Sequence, residues 1–145
     1  MKKYKVILTE SEMRKLNEVR RNDGDGEFIT VDHIDKSNYK KYIGQKVNVR
    51  GYVNLSDLNL REIPITFGTV GGDFFCYNNS LISLNGSPTE VAGDFDCCNN
   101  KLTSLNGCPR EVVGDFSCYA NKKKFAKYDV KKIGRASCRE RVCQY

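Results

Sequence analysis

Apolar side chains recur along this chain at one fixed interval. Val70, Phe74, Cys76, Leu81 and Leu84 are followed by Val91, Phe95, Cys97, Leu102 and Leu105, and then by Val112, Phe116 and Cys118. Polar and turn-forming residues keep the same step: Asn79, Asn100 and Asn121; Gly86 and Gly107; Pro88 and Pro109; Glu90 and Glu111. The stretches "GDFFCYNNSLISLNGSPTEV" (72–91) and "GDFDCCNNKLTSLNGCPREV" (93–112) are two full copies, and "GDFSCYANK" (114–122) opens a third. One period earlier, Val49, Gly51, Val53, Leu55, Leu60 and Ile63 carry a degraded version. A constant period without insertions predicts a solenoid, in which each copy buries the apolar side of the next.

The roles within one rung follow from stacking. Phe74 and Cys76 alternate as the inward positions of a short strand. The asparagine after the strand turns the chain and satisfies backbone groups inside the turn. Leu81 and Leu84 fill the interior on the return path, and "NGSP" or "NGCP" reverses the chain. The outward strand positions read Tyr52, Asn54, Ser56; Asp73, Phe75, Tyr77; Asp94, Asp96, Cys98; and Asp115, Ser117, Tyr119. Aromatic anchors beside carboxylates mark a protein-binding patch. Its candidate contact residues are Tyr52, Asn54, Asp73, Phe75, Tyr77, Asp94, Asp96, Asp115 and Tyr119. Asp73, Asp94 and Asp115 form a column of like charge, which either caps the glycine turns by hydrogen bonding or meets a basic partner. Aspartate follows glycine in every copy, which favours capping.

The order of residues in "FFCYNNSLISL" resembles a short leucine-rich repeat with phenylalanine and cysteine at the strand positions. The wording "GDFxCxNNxLxSLxGxPxEV" is similar to small repeat proteins of bacteriophages and gut bacteria, over residues 49 to about 121. That resemblance implies an arc-shaped solenoid with a parallel sheet on its concave face, protein binding, and no particular catalysis. It also makes a host protein a natural target. The expected fold class is α/β: an α+β N-terminal cap followed by a short leucine-rich-repeat-like solenoid.

The ends break the pattern. Residues 1–48 read as the cap: "KYKVIL" a strand, the capping box "TESE" opening a helix to about Arg21 with Met13, Leu16 and Val19 on one side, "EFITVDHI" a second strand, and "SNYKKYIG" a short helix. Within it, "RNDGDGEFITVD" resembles an EF-hand loop through Asp23, Asp25, Gly26 and Asp32. Arg21 stands in place of the first-position carboxylate, and a helix-to-strand turn accounts for the Asp-Gly pairs equally well. No metal or cofactor is expected. After the repeats of residues 49–121, residues 122–132 read as the start of a capping helix, with Phe125 and Val130 against the last rung. Its lysines at 122, 123, 124, 127, 131 and 132 form a solvated face or hold an acidic or phosphate-bearing surface. Residues 133–145 form a tail of another kind. "IGRASCRERV" (133–142) resembles the translation of a common short-read sequencing adapter, which points to an assembled metagenomic fragment, so the tail is set aside as non-native.

Composition narrows the function. The chain of 145 residues carries a formal charge of +6, and removing the tail's three basic and one acidic residue leaves +4, too mild a bias to argue for nucleic acid. The aspartates of the strand face repel phosphates. Cysteines at repeat positions read as packing residues of a reducing compartment, and a cytoplasmic location is expected. Cys76, Cys97 and Cys118 stack in one column with no fourth ligand spaced for zinc. Cys98, on the other strand face, is the expected exposed thiol, with Cys108 on a loop. His33 is the only histidine, no nucleophile motif surrounds any serine or cysteine, and no glycine-rich phosphate loop is present, so no enzyme activity is expected. No apolar run is long enough to suggest a membrane span. The alternative to a protein-binding module is a structural or self-associating repeat using its ends and strand edges.

Overall fold

A computed structural model describes residues 27–125. Among these residues nine short strands follow one another: β1 (Ile29–Val31), β2 (Lys46–Val49), β3 (Val53–Asn54), β4 (Thr66–Val70), β5 (Phe74–Phe75), β6 (Glu90–Val91), β7 (Phe95–Asp96), β8 (Glu111–Val112) and β9 (Phe116–Ser117). They build two parallel sheets that share one core: a five-stranded sheet in the order β1-β2-β4-β6-β8 and a four-stranded sheet in the order β3-β5-β7-β9. The solenoid and its parallel pairing agree with the sequence period: Phe74 registers with Phe95, Phe95 with Phe116, and Val91 with Val112.

The family resemblance implied a single sheet, whereas each rung here contributes two strands. The reason lies at the corner between them. Gly72, Gly93 and Gly114 stack so closely on the rung before that a Cβ at any of them would press on backbone atoms of that rung, Gly51, Gly72 and Gly93 respectively. The glycine corner lets the chain bend between a β-branched inward residue (Val70, Val91, Val112) and the inward phenylalanine.

The core is a set of columns. The rings of Phe74 and Phe95 stack at 5.4 Å, and those of Phe95 and Phe116 at 5.1 Å. Cys76, Cys97, Cys118, Leu81, Leu84, Leu102 and Leu105 complete it, all buried as expected. Burying apolar area is worth roughly 25 cal/mol per Å2, so stacked phenylalanines dominate the stabilisation. The asparagines satisfy the turn. Asn100 Nδ2 donates to the carbonyls of Cys76 (3.0 Å) and Cys97 (3.1 Å), and its Oδ1 accepts the Leu81 N–H at 3.0 Å. Asn79 and Asn121 repeat the arrangement one rung before and after. The residue ahead of each is left-handed: Asn78 at φ 56°, Asn99 at 57° and, in the third copy, Ala120 at 57°. Asparagine tolerates that conformation; alanine is strained in it.

The sheet starts earlier than the boundary drawn at residue 49. β1 pairs in parallel with β2, and Ile34 bridges Val53, so "ITVDHI" forms a first rung. The expected short helix is a 3₁₀ turn, Tyr39–Tyr42. The remainder of the α+β cap, namely the "KYKVIL" strand, the helix from Thr9 and the loop aspartates Asp23 and Asp25, lies outside the described residues, as does the C-terminal capping helix after Phe125. Phe125 itself is buried in the core cluster. Among the described residues no helix is long and apolar enough to cross a membrane.

Candidate functional site

The parallel ladder of the second sheet fixes three outward columns. Tyr52, Asp73, Asp94 and Asp115 form the first; Asn54, Phe75, Asp96 and Ser117 the second; Ser56, Tyr77, Cys98 and Tyr119 the third. All nine candidate contact residues therefore stand on one face. Tyr52 and Tyr119 are each 45% exposed, while Phe75, Tyr77 and the aspartates are half-buried.

Three kinds of internal contact shape this face. Asp73 Oδ1 accepts the N–H of Asp94, and Asp94 Oδ1 accepts the N–H of Asp115, each at 2.8 Å. A backbone donor thus offsets the like-charge stacking, and one oxygen of each carboxylate is committed to the scaffold. A Cβ at Gly93 or Gly114 would collide with these same carboxylates, which explains the Gly-Asp pair physically. Next, Asn54 Oδ1 accepts the N–H of Ser56 at 3.0 Å, and Asp96 Oδ1 accepts that of Cys98 at 3.0 Å. Finally, the Phe75 and Tyr77 rings lie 5.9 Å apart in a tilted pair.

Cys98 corrects an expectation. It stands on the outward side of its strand, yet only 3% of it is exposed. In its column a small residue lies between Tyr77 and Tyr119, and those two larger side chains leave it no access to water. Burial, reinforced by the Asp96 carboxylate, pushes its thiol far above the ordinary range. Its neighbours Cys98 and the Asp96 carboxylate raise the Tyr119 phenol in turn. A thiol held protonated is neither a nucleophile nor a metal ligand.

At the N-terminal end of the face, His33 stacks on Tyr52 with centroids 5.4 Å apart, and its Nε2 lies 3.7 Å from Asp35 Oδ2. Ser37 Oγ donates to Asp35 Oδ1 at 2.6 Å. The bond from the Ser37 hydroxyl, then that from its N–H, holds the Asp35 carboxyl below its usual range. Serine, histidine and aspartate meet here in the wrong order for acyl transfer. The hydroxyl is held by the carboxylate rather than by the imidazole, so no base is placed on it. Asp32, the last position of the EF-hand-like loop, instead pairs with Arg50 at 2.8 Å. Among the described residues no group of three histidine, cysteine or acidic side chains is placed to hold a metal ion.

Sequence reasoning missed a second surface. A groove of about 600 Å3 runs over the first sheet between Thr30, Asn48, Arg50, Thr69, Glu90 and Glu111. Asn48, Thr69, Glu90 and Glu111 themselves keep the repeat step, a column legible in the sequence once β4, β6 and β8 are recognised as strands. Its charges are mixed, with Glu90 within 3.9 Å of Arg110. No protein-family model, curated protein or solved structure matches the chain.

Proposed function

We propose that this chain is a non-catalytic protein-interaction module that engages a partner across the outer face of the second sheet. The observation that carries the reading is the pair Tyr52 and Tyr119, each 45% exposed at opposite ends of a face whose backbone is held by parallel ladders. Tyrosines held beside paired strands lose little entropy when they are covered, and such anchors supply much of an interface's energy. Phe75 and Tyr77 lie between them as a half-buried apolar centre. The resemblance to phage repeat proteins makes a bacterial host protein the first partner to seek.

The test is affinity capture from a bacterial lysate, with the full chain and a Phe75→Ala/Tyr77→Ala/Tyr119→Ala variant as baits. Both must give the same far-ultraviolet circular dichroism. A protein retained by the first and lost from the folded variant supports the reading. Identical capture by both baits contradicts it, and concentration-dependent assembly of the chain alone would favour the self-associating alternative.

A further inference from the structure

The return path of the solenoid carries a chemistry different from the acidic, aromatic sheet face. The repeat step places Asn59, Ser80, Lys101 and Lys122 in one column, and Arg61, Ile82, Thr103 and Lys124 in the next. Asn59, Arg61, Ser80, Ile82 and Lys101 line a depression of about 330 Å3. Its floor is fixed by bonds between rungs: Ser80 N–H donates to Leu60 O at 2.8 Å, Ile82 N–H to Arg61 O at 3.3 Å, and Lys101 N–H to Leu81 O at 2.9 Å.

Three cations elsewhere among the described residues are held in ion pairs. Arg50 pairs with Asp32, Arg110 with Glu90 and Lys36 with Asp57. Arg61 and Lys101 have no ion pair among the described residues, although Glu62 adjoins Arg61 in the chain. The Ser80 hydroxyl and the Asn59 amide also have no hydrogen-bond partner among those residues. Arg61 and Lys101 sit two rungs apart, roughly 9–10 Å along the stack, with Ser80 and Ile82 on the rung between.

The geometry points to a binding site for a small phosphate ester. A guanidinium offers two parallel donors to an oxyanion, an ammonium adds a point charge, and serine and asparagine add neutral donors. Two cations match the charge of a phosphate monoester, about −1.5 to −2 at neutral pH. Ile82, 58% exposed at the rim, offers an apolar flank to the organic part. The volume falls at the lower end of small-molecule sites, and Lys122 and Lys124 raise the local positive potential. This site is separate from the proposed protein-binding face, and neither reading depends on the other.

Isothermal titration of the full chain with phenyl phosphate, and with inorganic phosphate as the probe lacking an organic part, tests the site. Saturable binding is expected, tighter for phenyl phosphate, and weaker at pH 5 than at pH 7.5 because the ester loses its second charge near pH 6. Arg61→Gln and Lys101→Gln are each expected to weaken it tenfold or more. Lys36→Gln and Arg110→Gln, which remove the same charge from paired positions, are expected to change it by less than twofold. Absence of saturable binding to either probe, or equal weakening by all four substitutions, would overturn the assignment. All four side chains lie on the surface, and circular dichroism verifies that each variant is folded.

Discussion

Phe74 and Phe75 are neighbours in one two-residue strand, yet they belong to different parts of the molecule. Phe74 is fully buried between the rings of Phe67 and Phe95. Phe75 faces the other way and meets Tyr77 above a partly open surface. Asn99 and Asn100 repeat the contrast. Asn100 holds the carbonyls and amide of the turn from inside, while Asn99 is exposed and bonds outward to Asn78. The inward member of each pair recurs in every copy because it packs on its own image one rung away. The outward member changes from copy to copy, Phe75 to Asp96 to Ser117, because stacking places no such demand on it. Scaffold and candidate function are thus separated by strand alternation alone.

The largest break in this contrast is expected from Asn100→Ala. It leaves buried carbonyls of Cys76 and Cys97 and the Leu81 amide without a partner, a loss of about 2–4 kcal/mol. Asn99→Ala is expected to cost about 1 kcal/mol, mainly for an alanine held left-handed. Urea unfolding of the two variants side by side measures the difference.

The neighbours Cys97 and Cys98 sharpen the comparison by breaking its rule, since both are buried and both thiols are raised, chiefly by burial. A thiol whose folded pKa lies above its unfolded value stabilises fully below the unfolded pKa, and that contribution is lost as pH rises toward the folded one. Stability is therefore expected to fall above about pH 8.5, with each buried thiol contributing a slope of about 1.4 kcal/mol per pH unit. Cys97→Ala is expected to make that decline shallower in unfolding curves between pH 8 and pH 10. Brief alkylation followed by peptide mapping is expected to label Cys108, which is partly exposed, ahead of Cys98.

The smallest effect is a gain. Ala120 occupies the left-handed position that Asn78 and Asn99 fill in the other copies, so Ala120→Asn is expected to add about 0.5–1 kcal/mol. A rise in the thermal midpoint measures it.

The inward columns were legible because a fixed period reveals residues that stack on their own images. Three features escaped it for physical reasons. β6 and β8 are two residues long, too short for alternation to be seen, so the five-stranded sheet went unread. The first rung is spaced differently: Ile29 registers with Val47, and Ile34 with Val53, and both pairs are closer in sequence than one full repeat. A search at the repeat period passes over such a rung. Burial of Cys98 depends on the sizes of its column neighbours Tyr77 and Tyr119, which alternation along one strand does not encode. The outward face could be named residue by residue because alternation gives direction. The groove over the first sheet and the cationic depression could not, because both need the path of the whole rung.

The most direct test of the division between scaffold and surface is equilibrium unfolding of Phe74→Ala and Phe75→Ala in guanidinium chloride. A loss of about 3–5 kcal/mol is expected for the first, the usual cost of emptying a buried phenylalanine site, and under about 1 kcal/mol for the second. Equal losses would contradict that division, because Phe75 would then belong to the scaffold and would not be available to a partner.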